Sequence, residues 1–330
     1  LFYGIKPAVT AIVVQAVLRI GGRALKNWVL WAIAVAAFIA IFAFKVPFPL
    51  IVLGAAIAGF IGGRISPAIF KTGGGHGAKD KSYGAALIDD ETPTADHARF
   101  SWLRLARVAL GGAVLWGGSL AALCFGLGQN HTISQMAVFF SKAALLTFGG
   151  AYAVLPYVYQ GAVTKYGWLT ASQMIDGLGL GETTPGPLIM VVTFVGFVGG
   201  WTTAYLGPES QLAAATIAAV IVTWFTFLPS FIFVFAGAPL IESTHGNLKF
   251  TAPLTAITAA VVGVVLNLAL FFGYHVLWPK GFEGPFERPS AIIAAGAAVA
   301  LIRFKVNVMA VIAVCAAIGL ALQYLPDLKV

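Results

Sequence analysis

The stretch Glu182-Thr183-Thr184-Pro185-Gly186-Pro187 interrupts an apolar run that extends from Met174 to Leu206. A straight helix cannot continue through this stretch, because each proline lacks a backbone N–H and clashes with the carbonyl one turn earlier. Lipid cannot satisfy the backbone groups that the break releases, and each unsatisfied group costs several kcal/mol. We therefore predict that the break is buried in protein or lines a water-filled cavity. A carboxylate beside such a break is typical of a substrate site.

The composition indicates a polytopic membrane protein. Of the 330 residues, 59% are hydrophobic and 10% are charged, and the mean hydropathy is +0.91. Soluble domains carry about 25% charged residues, so we predict an all-α chain in a lipid bilayer. The net charge of +8 comes mainly from a few loops, which fits the positive-inside bias rather than nucleic-acid binding. The two cysteines lack metal or redox spacing, and no haem, flavin or iron–sulfur pattern is present, so we expect no cofactor and no enzyme.

Ten hydrophobic segments divide the chain, and some are predicted to be broken or re-entrant helices. They lie near 5–22, 28–44, 46–62, 106–128, 133–160, 172–206, 211–240, 250–275, 289–303 and 306–323. Residues 63–105 are polar and Gly-rich, which is typical of a linker. We therefore predict three regions: 1–62 as the end of a first transmembrane repeat, 63–105 as a cytoplasmic linker, and 106–330 as a second transmembrane repeat with two helix breaks.

Two blocks of sequence recur in the same order, which indicates an internal repeat. Thr10-Ala11-Ile12 recurs as Thr255-Ala256-Ile257, and Phe44-Lys45-Val46 recurs as Phe304-Lys305-Val306. Internal repeats are common in secondary transporters. The second repeat begins near His131, so we hypothesise that the counterpart of residues 131–250 precedes Leu1. A reading frame that begins with Met in place of Leu1 would contradict this hypothesis.

The loop charges bear on the orientation of the two repeats. Arg19, Arg23 and Lys26 are assigned to one short loop, and we expect this loop and the linker in the cytoplasm because positive charge collects there. If 172–206 crosses the membrane once, the repeats are inverted and the loop with Lys165 also lies inside. If 172–206 crosses twice, the repeats are parallel. We favour the inverted arrangement.

The helix break offers an anion site. Thr184 is a suitable N-cap, and Pro185 fits the first position of a new half-helix. The first N–H groups of that half-helix have no partner and carry about half a positive charge, so they bind anions. Substrate contacts are therefore predicted for Thr183, Thr184, Pro185, Gly186 and Pro187. The alternative is a proline kink that only shapes packing.

A second candidate surface lies upstream, in the 133–160 segment. Its glycine pair lets the backbone approach a ligand, or else serves plain helix packing, and the predicted contacts are Thr147, Gly149, Gly150 and Ala151. Lys142 is predicted to contact the substrate or to pair with Glu182, unless its side chain reaches the membrane surface. A carboxylate suits an anion site only when it is protonated, paired or used for coupling, so we predict that Glu182 carries a coupling proton. Asp176 is interpreted as an interface residue.

Three longer motifs resemble one known family. They are Phe148-Gly-Gly-Ala-Tyr-Ala-Val-Leu-Pro-Tyr-Val158, Tyr166-Gly-Trp-Leu169 and Asp176-Gly-Leu-Gly-Leu-Gly-Glu-Thr-Thr-Pro-Gly-Pro-Leu-Ile-Met190, and they resemble the bacterial chromate ion transporter family. The similarity covers about residues 131–330, and residues 1–62 look like the end of the family's N-terminal domain. The resemblance implies a multi-pass protein of the bacterial plasma (inner) membrane that exports chromate and confers chromate resistance.

Several functional alternatives stay open. No ATP-binding motif is present, so we expect secondary transport driven by an ion gradient, with protons or a counter-anion as the coupled species. Sulfate has the same charge and shape as chromate, so a sulfate or general oxyanion carrier is one alternative. An uncoupled oxyanion channel is another. A homodimer is one assembly that the sequence leaves open.

Overall fold

The computed structural model describes residues 1–70, 101–147, 151–184, 188–243 and 251–324, and these residues contain no strand. In chain order the helices are α1 (Phe2–Ala24), α2 (Trp28–Phe42), α3 (Phe48–Ile65), α4 (Pro67–Phe70), α5 (Trp102–Ala113), α6 (Ser119–Gly126), α7 (Thr132–Leu145), α8 (Ala151–Tyr159), α9 (Ala171–Thr183), α10 (Val191–Thr203), α11 (Gln211–Ser243), α12 (Thr251–Leu277), α13 (Arg288–Ile302) and α14 (Val308–Tyr324). Short helical turns of other types adjoin some of these helices: Val114–Gly118, Gln160–Lys165, Leu188–Met190 and Pro208–Ser210.

The helices confirm the prediction of an all-α, polytopic membrane protein. Among the described residues, five helical stretches are long and apolar enough to cross a membrane, and shorter apolar helices accompany them. The long stretches are Phe2–Ala24, Phe48–Ile65, Trp102–Gly126, Pro208–Gly237 and Thr251–Leu277. The predicted linker 63–105 falls mainly outside the described residues; its first residues belong to α3 and α4.

Helices α1 and α12 form the centre of the fold and run in opposite directions. α12 is apolar on all sides, which is the pattern of a buried helix. The backbone of Gly21 in α1 faces Val262 in α12, whereas Gly273 near the end of α12 faces Thr10. Gly21 follows Thr10 in α1, but its partner Val262 precedes Gly273 in α12, so the two helices are antiparallel.

The other helices of the two repeat blocks pack on this pair crosswise, in the sense that each block packs on the central helix of the other block. Helices α2 and α3 pack against α12, whereas α13 and α14 pack against α1. Gly263 of α12 approaches the backbone of Ala34 in α2, and Gly4 of α1 approaches the backbone of Cys315 in α14. Each block therefore places its second and third helices on the first helix of the other block.

The two Phe-Lys-Val turns have the same backbone geometry. Lys45 and Lys305 both lie in the left-handed region, with φ of 51° and 53°. The Val46 N–H donates to the Ala40 carbonyl at 3.0 Å, and the equivalent bond in the second turn is 3.1 Å long. Left-handed backbone is uncommon for lysine. The blocks that match in sequence thus also match in turn geometry and in packing.

Two of the hydrophobic segments fold into helix hairpins. Phe139 of α7 stacks on Tyr157 of α8 with ring centroids 4.7 Å apart, and Gly177 of α9 faces Phe194 of α10. In each contact, one residue lies about as far before the break in the sequence as the other lies after it. The chain therefore turns back, and the two helices of each pair are antiparallel. The 13 residues of α9 extend about 20 Å, less than the ~30 Å of a bilayer core. The predicted helix breaks are confirmed, but the count of 172–206 as one crossing is wrong, because the chain turns back at the break.

The hairpin of α9 and α10 is held on both sides by close backbone contacts. Gly196 and Gly200 of α10 face the backbone of α11, so α10 and α11 approach closely without intervening side chains. On the other side, Gly179 of α9 faces Ile5 and Val9 of α1. These contacts fix the position of the hairpin tip relative to α1.

Candidate functional site

Arg19 lies within a helix rather than in a loop. Helix α1 continues through Gly21, which faces Val262 of α12, and ends at Ala24. The assignment of Arg19 and Arg23 to a loop was therefore wrong. A charge inside an apolar run was the signal that could have identified Arg19, and it is the same signal that singled out Glu182.

Arg19 and Glu182 line one cavity at the tips of the two hairpins. The cavity has a volume of about 260 Å³, and its lining includes Gln15 and Arg19 of α1, Tyr152 of α8, Glu182 of α9 and Leu188. The Tyr152 hydroxyl donates a hydrogen bond to the Glu182 carboxylate. This bond joins the first turn of α8 to the last turn of α9, so the two hairpins meet at their tips.

Two helix N-termini lie at the same tips. Helix α8 begins at Ala151, and the turn that leads into α10 begins at Leu188, which lines the cavity. The first N–H groups of a helix have no intrahelical partner and attract negative charge. Together with the Arg19 guanidinium, the two helix N-termini can hold an anion. Among the described residues of the lining, Glu182 is the acidic group.

The predicted threonines use their hydroxyl groups within their own helices. Thr147 donates to the Ala143 carbonyl at 2.7 Å, and Thr183 and Thr184 donate to the Leu180 carbonyl at 2.9 Å and 2.7 Å. Thr184 is the C-cap of α9. Its role as the N-cap of a new half-helix stays a prediction, because the residues that would begin that half-helix lie outside the described residues. Ala151 begins α8. The remaining predicted contacts lie outside the described residues: Gly149, Gly150, Pro185, Gly186 and Pro187.

Lys142 and Glu182 line different cavities. Lys142 faces a larger cavity of about 650 Å³ between α7, α8, α12 and the turn that joins α2 to α3. Among the described residues the hydrogen-bond donor to Glu182 is Tyr152, and the nearby cation is Arg19. The predicted pairing of Lys142 with Glu182 is therefore not formed, while a substrate contact of Lys142 stays a prediction.

An ion pair that the sequence analysis missed joins the hairpin to α1. The Lys6 ammonium lies 3.4 Å from the Asp176 carboxylate and also donates to the hydroxyl of Ser172. Both side chains of the ion pair are largely covered, with exposed fractions of 28% for Lys6 and 19% for Asp176. Asp176 thus fixes α9 against α1, six residues before Glu182, rather than serving only as an interface residue.

Comparison with known proteins identifies several proteins of similar sequence. A chromate transport protein of Pseudomonas aeruginosa is 34% identical over 267 residues, which is 80% of this chain and 53% of that protein. A chromate transport protein of Cupriavidus metallidurans is 29% identical over 174 residues, 52% of this chain and 38% of that protein. An uncharacterized transporter of Methanocaldococcus jannaschii is 32% identical over 138 residues, 42% of this chain and 31% of that protein.

The chain spans about half, or less, of the length of these relatives. No solved structure matches it. The sequence pattern of the family described as "Chromate transporter" matches residues 1–60 and 134–320, which include both hairpins and the crosswise helices. This multi-pass membrane protein therefore belongs to the chromate transporter family.

Proposed function

We propose that this protein is a secondary transporter that exports chromate across the bacterial plasma membrane and thereby confers chromate resistance. Two relatives are chromate transport proteins, which supports chromate as the substrate. The observation that carries the proposal is the placement of Arg19 beside the meeting tips of two helix hairpins. Half-helices that meet near the middle of a membrane protein are the usual setting of transporter substrate sites.

The anion in this proposal is held by two helix N-termini and one guanidinium. The planar fork of Arg19 donates to two oxygen atoms of a tetrahedral oxyanion at once. The N–H groups at the start of α8, near Ala151, and at the turn before α10 supply further donors. Thr147, Thr183 and Thr184 flank the tips and reach the anion only if their hydroxyl groups leave their present carbonyl partners.

Glu182 couples the anion to a proton in this proposal. An ionised carboxylate repels a dianion and offers Arg19 another partner, so anion binding and protonation of Glu182 favour each other. The groups that face Glu182 are Tyr152 of α8 and Arg19 of α1. A membrane potential of 100 mV, negative inside, drives a dianion outward with about 4.6 kcal/mol, and one accompanying proton cancels about half of this. Export therefore stays favourable.

The packing supports an inverted arrangement of the two repeats. Antiparallel first helices are what a two-fold axis in the membrane plane produces. Residues 133–160 and residues 172–206 each fold back on themselves, so neither segment adds a net crossing of the membrane. The loop with Lys165 therefore lies on the side of the membrane opposite the linker. The loop that contains Arg303 and Lys305 lies on the same side of the membrane as the linker, in agreement with the positive-inside bias.

Chromate flux in proteoliposomes tests the proposal. With no membrane potential, an imposed pH gradient is expected to drive chromate to a higher concentration on one side, which an uncoupled channel cannot do. Glu182→Gln is expected to abolish this pH-driven accumulation. Persistent pH-driven flux in Glu182→Gln would remove Glu182 from the coupling step, and equilibration without accumulation in the unmodified protein would favour the channel. Competition by sulfate in the same assay identifies a general oxyanion carrier.

A further inference from the structure

Three lysines from different parts of the chain line the larger cavity. They are Lys45 in the turn between α2 and α3, Lys142 in α7 and Lys165 after α8. The cavity has a volume of about 650 Å³, and none of its described lining residues is Asp or Glu. The Lys165 ammonium lies over the ring of Tyr166, 4.9 Å from the ring centroid. Because no carboxylate of the described lining balances the three positive charges, a bound anion would stabilise them.

Neutral hydrogen-bond donors complete the lining. Gln160, Thr164 and Asn267 contribute polar side chains to it. The amide oxygen of Gln160 already accepts a hydrogen bond from the Phe48 N–H at 3.2 Å, so its NH₂ group remains to donate. The cavity therefore offers donors of both kinds, charged and neutral, which is the chemistry that an oxyanion requires.

Lys45 has a matched counterpart outside the cavity. Its φ of 51° is left-handed, a conformation that glycine adopts freely and that costs other residues about 1–2 kcal/mol. Lys45 lies in the turn between α2 and α3 and lines the cavity. Lys305 has the same conformation in the matching turn but does not line this cavity, so it provides a natural control.

We propose that Lys45, Lys142 and Lys165 form a second oxyanion site, which holds the anion on the side of the membrane opposite the linker, after it leaves the hairpin tips in export. The role of this site in transport rests on the proposed transport function, whereas anion binding by the three lysines does not. The occupant is a free tetrahedral dianion. The cavity is much larger than one such ion, so the site holds it in hydrated form and raises its local concentration through charge. The phosphate of an anionic lipid has the same chemistry, and the test separates the two sources.

Sulfate binding to the purified protein in detergent tests the site directly. Each single change, Lys45→Gln, Lys142→Gln or Lys165→Gln, is expected to weaken sulfate binding about fivefold, the upper range for an exposed ion pair. Lys305→Gln is expected to bind like the unmodified protein. Equal binding by the three variants and the control would overturn the proposal, and so would lysine-dependent binding of phosphatidylglycerol without any sulfate binding.

Transport kinetics separate this site from the tip site. In proteoliposomes, chromate supplied on the side opposite the linker meets this site first, so the lysine variants are expected to raise the KM for chromate from that side about fivefold and to keep the maximal rate, with a weaker effect at high salt. A loss of maximal rate with unchanged KM would overturn this role. If the unmodified protein does not transport chromate at all, the proposed function fails, but the sulfate-binding result still decides whether the lysine site exists.

Discussion

The Lys6–Asp176 ion pair provides the sharpest test of how the α9–α10 hairpin is attached. In Lys6→Met the Asp176 carboxylate loses its cation, and its second oxygen is already buried without a partner among the described residues. Two charges 3.4 Å apart interact by at most about 5 kcal/mol at an effective dielectric constant of 20. Loss of a partner from a fully buried pair costs about 3–5 kcal/mol, and the partial exposure of both groups lowers this to about 2 kcal/mol.

A double-mutant cycle measures this energy. Lys6→Met and Asp176→Asn are each expected to destabilise the protein by about 2 kcal/mol in denaturant unfolding in detergent micelles, and the double variant by about 2 kcal/mol rather than 4. Lys26→Met, just beyond the end of the same helix, serves as the control and is expected to change stability by less than about 0.5 kcal/mol. Additive losses in the double variant would refute the attachment of α9 to α1 through this pair.

Three further predictions concern packing, turn geometry and the tip hydrogen bond. A methyl group added by Gly263→Ala would lie 2.0 Å from the Ala34 carbonyl oxygen, so unfolding measurements should show a loss of about 1–3 kcal/mol. Gly296→Ala, which meets no atom within 4 Å inside helix α13, should instead stabilise the protein by up to about 1 kcal/mol; equal effects would contradict the packing. Lys305→Gly relieves a left-handed lysine and should stabilise the protein by up to about 1 kcal/mol; a large loss would show that the turn is not left-handed. Tyr152→Phe leaves Glu182 without its donor and should slow chromate flux about tenfold at equal protein amounts; an unchanged rate would remove this bond from the mechanism.

The helices could be predicted from the sequence because hydrophobic runs and helix breakers are local signals. The predicted segments 5–22, 28–44 and 250–275 correspond closely to α1, α2 and α12. A local signal does not indicate whether the chain continues across the membrane after a helix break or turns back. The return of α10 along α9 depends on contacts such as Gly177 with Phe194, which are tertiary.

The candidate site could be predicted only in part. Glu182 was recognised because a carboxylate beside a proline break is unusual in lipid. Arg19 was missed because a cluster of positive residues near a helix end is ordinarily a cytoplasmic loop. Its position beside Glu182 follows from the packing of α9 on α1, through Gly179, which no short-range pattern contains.

The central claim is that Arg19 holds the transported anion at the hairpin tips, and the most direct test is potential-driven chromate flux in Arg19→Gln. Removal of a charged hydrogen-bond donor is expected to slow the flux by about 10- to 100-fold, and Arg19→Lys should retain part of the rate. Arg23→Gln, one turn later on the same helix and outside the cavity lining, is the matched control and should transport like the unmodified protein. Equal flux in Arg19→Gln and Arg23→Gln would contradict the account.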